Sequence, residues 1–216
     1  MPSDAQPSRT APDRCGPAVD PLGLFCEDED AYTSEEAVRR VLELQPSLAD
    51  LWLVRVTSDQ SGTLNPDGEQ GGWSMAFVQP GAEPDAQGQV TSVLVGVVAD
   101  EVLEPVEGPM RPRCAITGPL APPRSRRAVH AALDAFEAAT GTPLVLRGNN
   151  LFFERRHRCA AGFYTGGEPD DVEANVRILL GDEGLNWFAL LDDTDRVTEL
   201  LGPCRANSVR GCRSDS

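Results

Sequence analysis

The chain has 216 residues, 40% of them hydrophobic, so it can bury one large core or two small ones. No apolar run approaches the roughly 20 residues of a membrane-spanning helix, and the net charge of −15 disfavours a nucleic-acid backbone as partner. All 19 basic residues are Arg, as a GC-rich genome favours, which excludes lysine chemistry such as a Schiff base or a P-loop contact. The charge is also uneven. Residues 1–110 hold 5 Arg and 20 acidic residues, whereas residues 111–216 hold 14 of each.

Residues 1–32 are rich in Pro, Gly and acidic side chains and are expected to be disordered or irregular. They have no apolar leader segment, which leaves two origins: a cytosolic protein, or an exported one whose leader has been removed. Thr33 and Glu36 form a capping-box signal for a first helix, with Ala37, Val41, Leu44 and Leu48 on its apolar face and Pro46 ending it near Gln45. Residues 51–57 then alternate as a half-buried strand with Trp52, Val54 and Val56 on one side. After a polar loop at 58–72, Trp73, Met75 and Phe77 mark the apolar side of another strand. The Val-rich run 90–98 reads as a strand buried on both faces, and 102–106 as a short edge strand stopped by proline.

A Pro/Gly-rich linker follows over 111–124. The second helix is expected over 125–140, with Val129, Ala132, Leu133, Phe136 and Ala139 on one face and Gly141 ending it. Residues 144–147 and 151–156 flank a Gly-Asn-Asn turn and read as a hairpin, followed by a short strand at 160–164. A meander of three strands over 172–201 completes the second half, and residues 204–216 form a polar tail.

The chain echoes itself. A Trp-led strand, an acidic turn and an apolar strand ending at proline occur over 71–109 and again over 184–203, each downstream of a helix. The fold class is therefore α+β: two related units, 33–110 and 125–203, each a helix packed on a small antiparallel sheet. Glu35-Glu36-Ala37-Val38, the Trp73–Phe77 strand and the Trp187–Val197 stretch resemble the PepSY family of small exported modules. Asp195 stands where that family usually carries glycine in the turn. The resemblance implies a non-catalytic module that binds or restrains another protein outside the cytosol.

Six cysteines in irregular chain, with no Cys-x-x-Cys, point to disulfides rather than to zinc. We expect the pairs Cys15–Cys26, Cys204–Cys212 and Cys114–Cys159. The densest polar cluster is Arg155-Arg156-His157-Arg158-Cys159, joined by Arg147 and by Arg124, Arg126 and Arg127 at the second helix start. Such guanidinium groups suit a phosphate, a carboxylate or an acidic partner, or they balance the protein's own acidic half. Arg147, Arg126, Arg127, Arg156 and Arg158 are the candidate binding residues, with Arg156 and Arg158 pointing outward from their strand. The acidic runs at 27–30 and 192–195 lack calcium-loop spacing, and the latter reads as a hairpin turn. No metal or cofactor is expected. The function expected is an exported, disulfide-stapled protein-binding or inhibitory module. The alternatives are a cytosolic acidic neutraliser of a basic partner and a small enzyme built on the Arg/His157/Cys159 cluster.

Overall fold

The computed structural model of the chain describes residues 31–58, 64–98, 101–144, 151–160, 176–182, 185–205 and 209–214. Cys15, Cys26, Arg147, the turn at 148–150 and most of the strand expected at 160–164 lie outside them.

Strand β1 (Tyr32–Thr33) leads directly into helix α1 (Ser34–Leu44). The expected capping box is present: the Thr33 hydroxyl accepts from the Glu36 amide at 3.3 Å, and the Glu36 carboxylate accepts from the Thr33 amide at 2.9 Å. The helix stops before a 3-10 turn at Pro46–Leu48. Ala37, Val41 and Leu48 are buried as expected, but Leu44 is 55% exposed. It is the last helical residue, and the turn after it carries Leu48 into the core in its place.

The first half continues with β2 (Trp52–Ser58), β3 (Glu69–Gln70), β4 (Gly72–Val78), β5 (Val90–Val98), β6 (Glu101–Val102) and β7 (Val106–Met110). β3 lies in the region read as a loop and pairs with β1 as a two-stranded ribbon. The single edge strand expected at 102–106 is instead two short strands, β6 and β7, both paired with β5. Helix α2 (Ser125–Thr140) has the expected bounds, and Gly141 closes it in the left-handed conformation (φ 76°). The second half adds β8 (Leu151–Arg156), β9 (Val176–Asp182), β10 (Leu185–Leu191), β11 (Val197–Cys204) and a short α3 (Val209–Ser214).

The fold is α+β with antiparallel pairing throughout. The strands of both halves lie in one nine-stranded sheet, in the order β11-β10-β9-β8-β2-β4-β5-β6, with β7 beside β5. The join is the antiparallel pair β2–β8, which matches Val56 with Arg155 and Thr57 with Glu154. These are the first sheet strands after α1 and α2, so each half covers the other's open edge. β8 pairs with β2 on one side and β9 on the other, while the hairpin partner expected at 144–147 lies, apart from Leu144, outside the described residues.

Helices α1 and α2 pack on the same side of this sheet, whereas α3 packs through Val209 and Cys212 against Phe188 and Leu190 on the other. Ala37 and Val41 of α1, Val129 and Phe136 of α2, and Val56, Trp73, Phe77, Phe153, Ala189 and Leu191 of the strands form one core. Phe136 meets Trp187 edge-on, with ring centroids 5.4 Å apart, as the expected packing of the second helix requires. Trp52 does not join this core. The β2–β4 register slips between Leu53 and Arg55, a bulge that puts Leu53 and Val56 on the helix side and sends Trp52 and Val54 to the other cluster. Strict alternation does not survive that one extra residue. β5 is buried on both faces as expected, at Val95 and Val97 toward α1 and α2 and at Val90 and Ser92 on the other side, where Leu94 and Gly96 are half-buried.

The two helix starts cap each other. The Ser34 amide donates to Ser125 Oγ and the Ser125 amide donates to Ser34 Oγ, both at 2.9 Å, and the Ser125 hydroxyl donates to the Gly68 carbonyl at 2.5 Å. Helix N-termini leave unpaired amides, and here two helices solve that problem reciprocally. Gly68 has φ 72° and would place a Cβ 2.4 Å from the Arg126 nitrogen, so only glycine fits.

Cys114 and Cys159 pair with Cα atoms 4.9 Å apart, and Cys204 and Cys212 with Cα atoms 5.3 Å apart, both within disulfide range. The first pair fastens the 111–124 segment to the end of β8; the second fastens α3 to β11.

Replacing Phe136 by Ala should cost about 3–5 kcal/mol, read by denaturant unfolding. Gly68→Ala should cost more than about 2 kcal/mol, because it adds left-handed strain to a backbone clash. The Thr33 amide and hydroxyl hold the Glu36 carboxyl below its usual range. Its stabilisation is therefore full at neutral pH and fades as pH falls through that lowered value. Glu36→Gln should flatten this acid-side loss in a circular-dichroism titration.

Candidate functional site

The sequence-derived arginines do not gather at one place. The hub is Arg155, whose parity with Leu151 and Phe153 puts it on the core side of β8, where it is 1% exposed. A buried guanidinium needs a carboxylate, and the β10–β11 turn supplies Asp195. Asp192 organises this turn. Its Oδ1 accepts from the Thr194 hydroxyl at 2.6 Å, the Thr194 amide at 2.8 Å and the Arg196 amide at 3.1 Å. The Thr194 hydroxyl, foremost among these donors, holds the Asp192 carboxyl below its usual range. The turn then places Asp195 in the left-handed region (φ 62°), a conformation usually left to glycine.

Asp195 sits fully buried among three guanidinium groups. Arg155 Nη1 donates to its Oδ1 at 3.2 Å, and Arg155 Nη2 reaches Asp193 at 3.5 Å. Arg127 Nε and Arg124 Nη1, from the start of α2, stand 3.7 and 3.9 Å from Oδ2. Burial pushes the Asp195 carboxyl above its usual range, against the downward pull of Arg155, Arg127 and Arg124. Arginine at a helix N-terminus is disfavoured by the dipole unless an anion is near. Asp195 is that anion for Arg124 and Arg127. Arg126 points elsewhere, to the Glu69 carboxylate and the Asp67 carbonyl, beside a His130–Asp67 contact of 3.2 Å.

Arg158 is exposed as expected, whereas Arg156 is buried. Arg156 does face away from the helices, but the 111–124 segment covers that part of the sheet. Pro112 bridges Ala160, the Arg113 amide donates to the Cys159 carbonyl at 2.8 Å, and the Leu120 amide to the Leu53 carbonyl at 2.7 Å. Cys159, joined to Cys114, offers no thiolate. His157 Nδ1 accepts from the Cys159 amide at 3.1 Å, and burial, with Arg158 beside it, holds the ring below its usual titration range. Among the described residues, no three His, Cys, Asp or Glu side chains gather as metal ligands.

A second feature escaped the sequence reading. On the sheet face opposite α1 and α2, Arg55 Nε donates to the buried Glu154 carboxylate at 3.0 Å. The only sequence signal was an acidic residue on the same side of β8 as Phe152 and Arg156. Beside this pair the sheet leaves a half-open groove of about 320 Å³, floored by Thr57, Ser74, Ala76, Leu94 and Gly96 and walled by Leu103, Glu104 and Val106. Leu103 and Val106 are 41% and 60% exposed.

No family model, no curated protein and no solved structure matches this chain.

Asp195→Ala should lower stability by about 3–5 kcal/mol, because it leaves the Arg155 charge buried without its partner. Asp195→Asn keeps an acceptor for Arg155 and suits the left-handed backbone, so its loss should be smaller. Denaturant unfolding at neutral pH compares the two.

Proposed function

We propose that the protein is a non-catalytic protein-binding module that engages its partner through the groove on the sheet face opposite α1 and α2. The observation that carries this reading is the exposure of Leu103 and Val106 as the wall of a mainly apolar groove, where the other large apolar side chains among the described residues are mostly covered. An apolar floor ringed by charged groups, here Arg55 and Glu104, is the composition of a protein interface. The partner segment that fits is a short apolar stretch carrying one basic and one acidic group.

The cysteine pairs at disulfide distance support an extracytoplasmic setting. The Cys114–Cys159 pair also removes the nucleophile on which the enzyme alternative rested. We read the halves as related units: each is a helix followed by an antiparallel meander, joined through first strands and mutually capped helix starts. That arrangement agrees with a tandem PepSY-like role in restraining another protein.

Leu103→Asp and Val106→Glu, made together, should leave stability within about 0.5 kcal/mol, as exposed substitutions do. Immobilised wild-type chain should retain a partner from an envelope extract, and the double variant should lose it. Equal retention by both forms contradicts the groove as the binding surface.

A further inference from the structure

The two oxygens of Asp195 stand in different circumstances. Oδ1 accepts from Arg155 at 3.2 Å. Oδ2 is equally buried and accepts no hydrogen bond among the described residues. The Arg127 and Arg124 guanidiniums face it from 3.7 and 3.9 Å, beyond hydrogen-bond reach, with side chains 63% and 51% exposed. Among the described residues neither guanidinium makes a hydrogen bond or another ion pair. A buried carboxylate oxygen without a donor thus faces two guanidiniums with unspent donors.

We propose that Arg124, Arg127 and Asp195 form a binding site for a phosphoryl group that still carries a proton, inorganic phosphate above all. The chemistry follows from the donor count. Two guanidiniums offer planar forks to the unprotonated oxygens of the ligand. Asp195 Oδ2 demands a donor, which a P–OH supplies and a sulfate at neutral pH cannot. The exposed Arg heads can swing outward to admit the ligand, while Arg155 behind the carboxylate stays fixed by burial. Three guanidiniums against Asp195 and the exposed Asp193 favour an anion, with the Glu35 carboxylate, which accepts from the Ser125 amide at 3.3 Å, as a counterweight at the start of the 16-residue α2. The α2 first-turn backbone is not the binding element, because Ser34 and Gly68 already close on it. Burial raises the affinity of Asp195 for a proton, so carboxylate and ligand can hold one proton between them. The site lies on the helix side of the sheet, away from the groove, and does not depend on the protein-binding reading.

The test is a calorimetric titration of the full chain with sodium phosphate and with sodium sulfate at matched ionic strength and neutral pH. Phosphate should bind at least about tenfold more tightly, the value of one charge-assisted hydrogen bond gained in place of two opposed lone pairs. Arg124→Ala with Arg127→Ala should abolish phosphate binding with the protein still folded, since both side chains are exposed. Asp195→Asn, whose amide can donate at the same place, should move the preference toward sulfate. Phosphoserine separates a bound monoester from free phosphate. It should bind only below about pH 6, where its phosphate keeps a proton, while inorganic phosphate binds above that value as well. Three outcomes overturn the proposal: equal binding of phosphate and sulfate, phosphate binding untouched by the double Arg variant, or no phosphate binding to the folded wild type. In any of these cases Arg124 and Arg127 only balance the Asp195 charge. If Asp195→Asn fails to fold, the double Arg variant and the sulfate comparison still decide.

Discussion

The antiparallel pair β2–β8 is the constraint on which the rest of the structure depends. Each half by itself would be a helix on a meander with one long unpaired edge, and edges of that kind invite association. Pairing the two first strands removes both inner edges at once. It also brings α1 and α2 onto the same side of one sheet, so their apolar faces share a single core. The reciprocal Ser34–Ser125 caps add a second tie between the halves, at the two helix starts. Gly68 marks how close that approach is.

The charge distribution is read differently once this join is known. The arginines of the second half are spent partly inside the fold. Arg155 and Asp195 lie beneath the helix-side surface, and Arg126 crosses to Glu69 of the acidic half. A buried ion pair adds little net stability by itself, but breaking one is costly, so its effect is to specify where the β10–β11 turn docks. The turn reaches α2 because Asp192 closes it and Asp195 accepts the left-handed backbone. The Arg55–Glu154 pair works on the other side of the sheet, at the base of the groove.

The local signals in the sequence were sufficient for local structure. The capping box at Thr33, the bounds of α2 and the Cys114–Cys159 and Cys204–Cys212 pairs were all legible, because each depends on residues close in sequence or on a short list of cysteines. The parity along β8 that turns Arg156 outward leaves Arg155 on the core side with Leu151 and Phe153, but its burial was not read from the sequence. What was not legible required distant partners. The bulge at Val54 depends on how β4 lies beside β2, and the alternation of residues 51–57 carries no mark of it. Arg156 is buried on a face that a segment pinned through Cys114 crosses, which its own strand does not announce. The β2–β8 join was hidden for a similar reason. The Trp echo suggested equivalent strands, yet outward from the join Trp73 lies on the second strand of its half and Trp187 on the third.

The central claim is that the two halves fold as one cooperative body about β2 and β8. Native-state amide exchange across increasing denaturant tests it most directly. The account predicts that amides of β2, β4, β8 and β10 exchange only through global unfolding, with a single shared free energy. If the strands of one half exchange at clearly lower free energy while the other half stays protected, the halves are independent units and the account is contradicted.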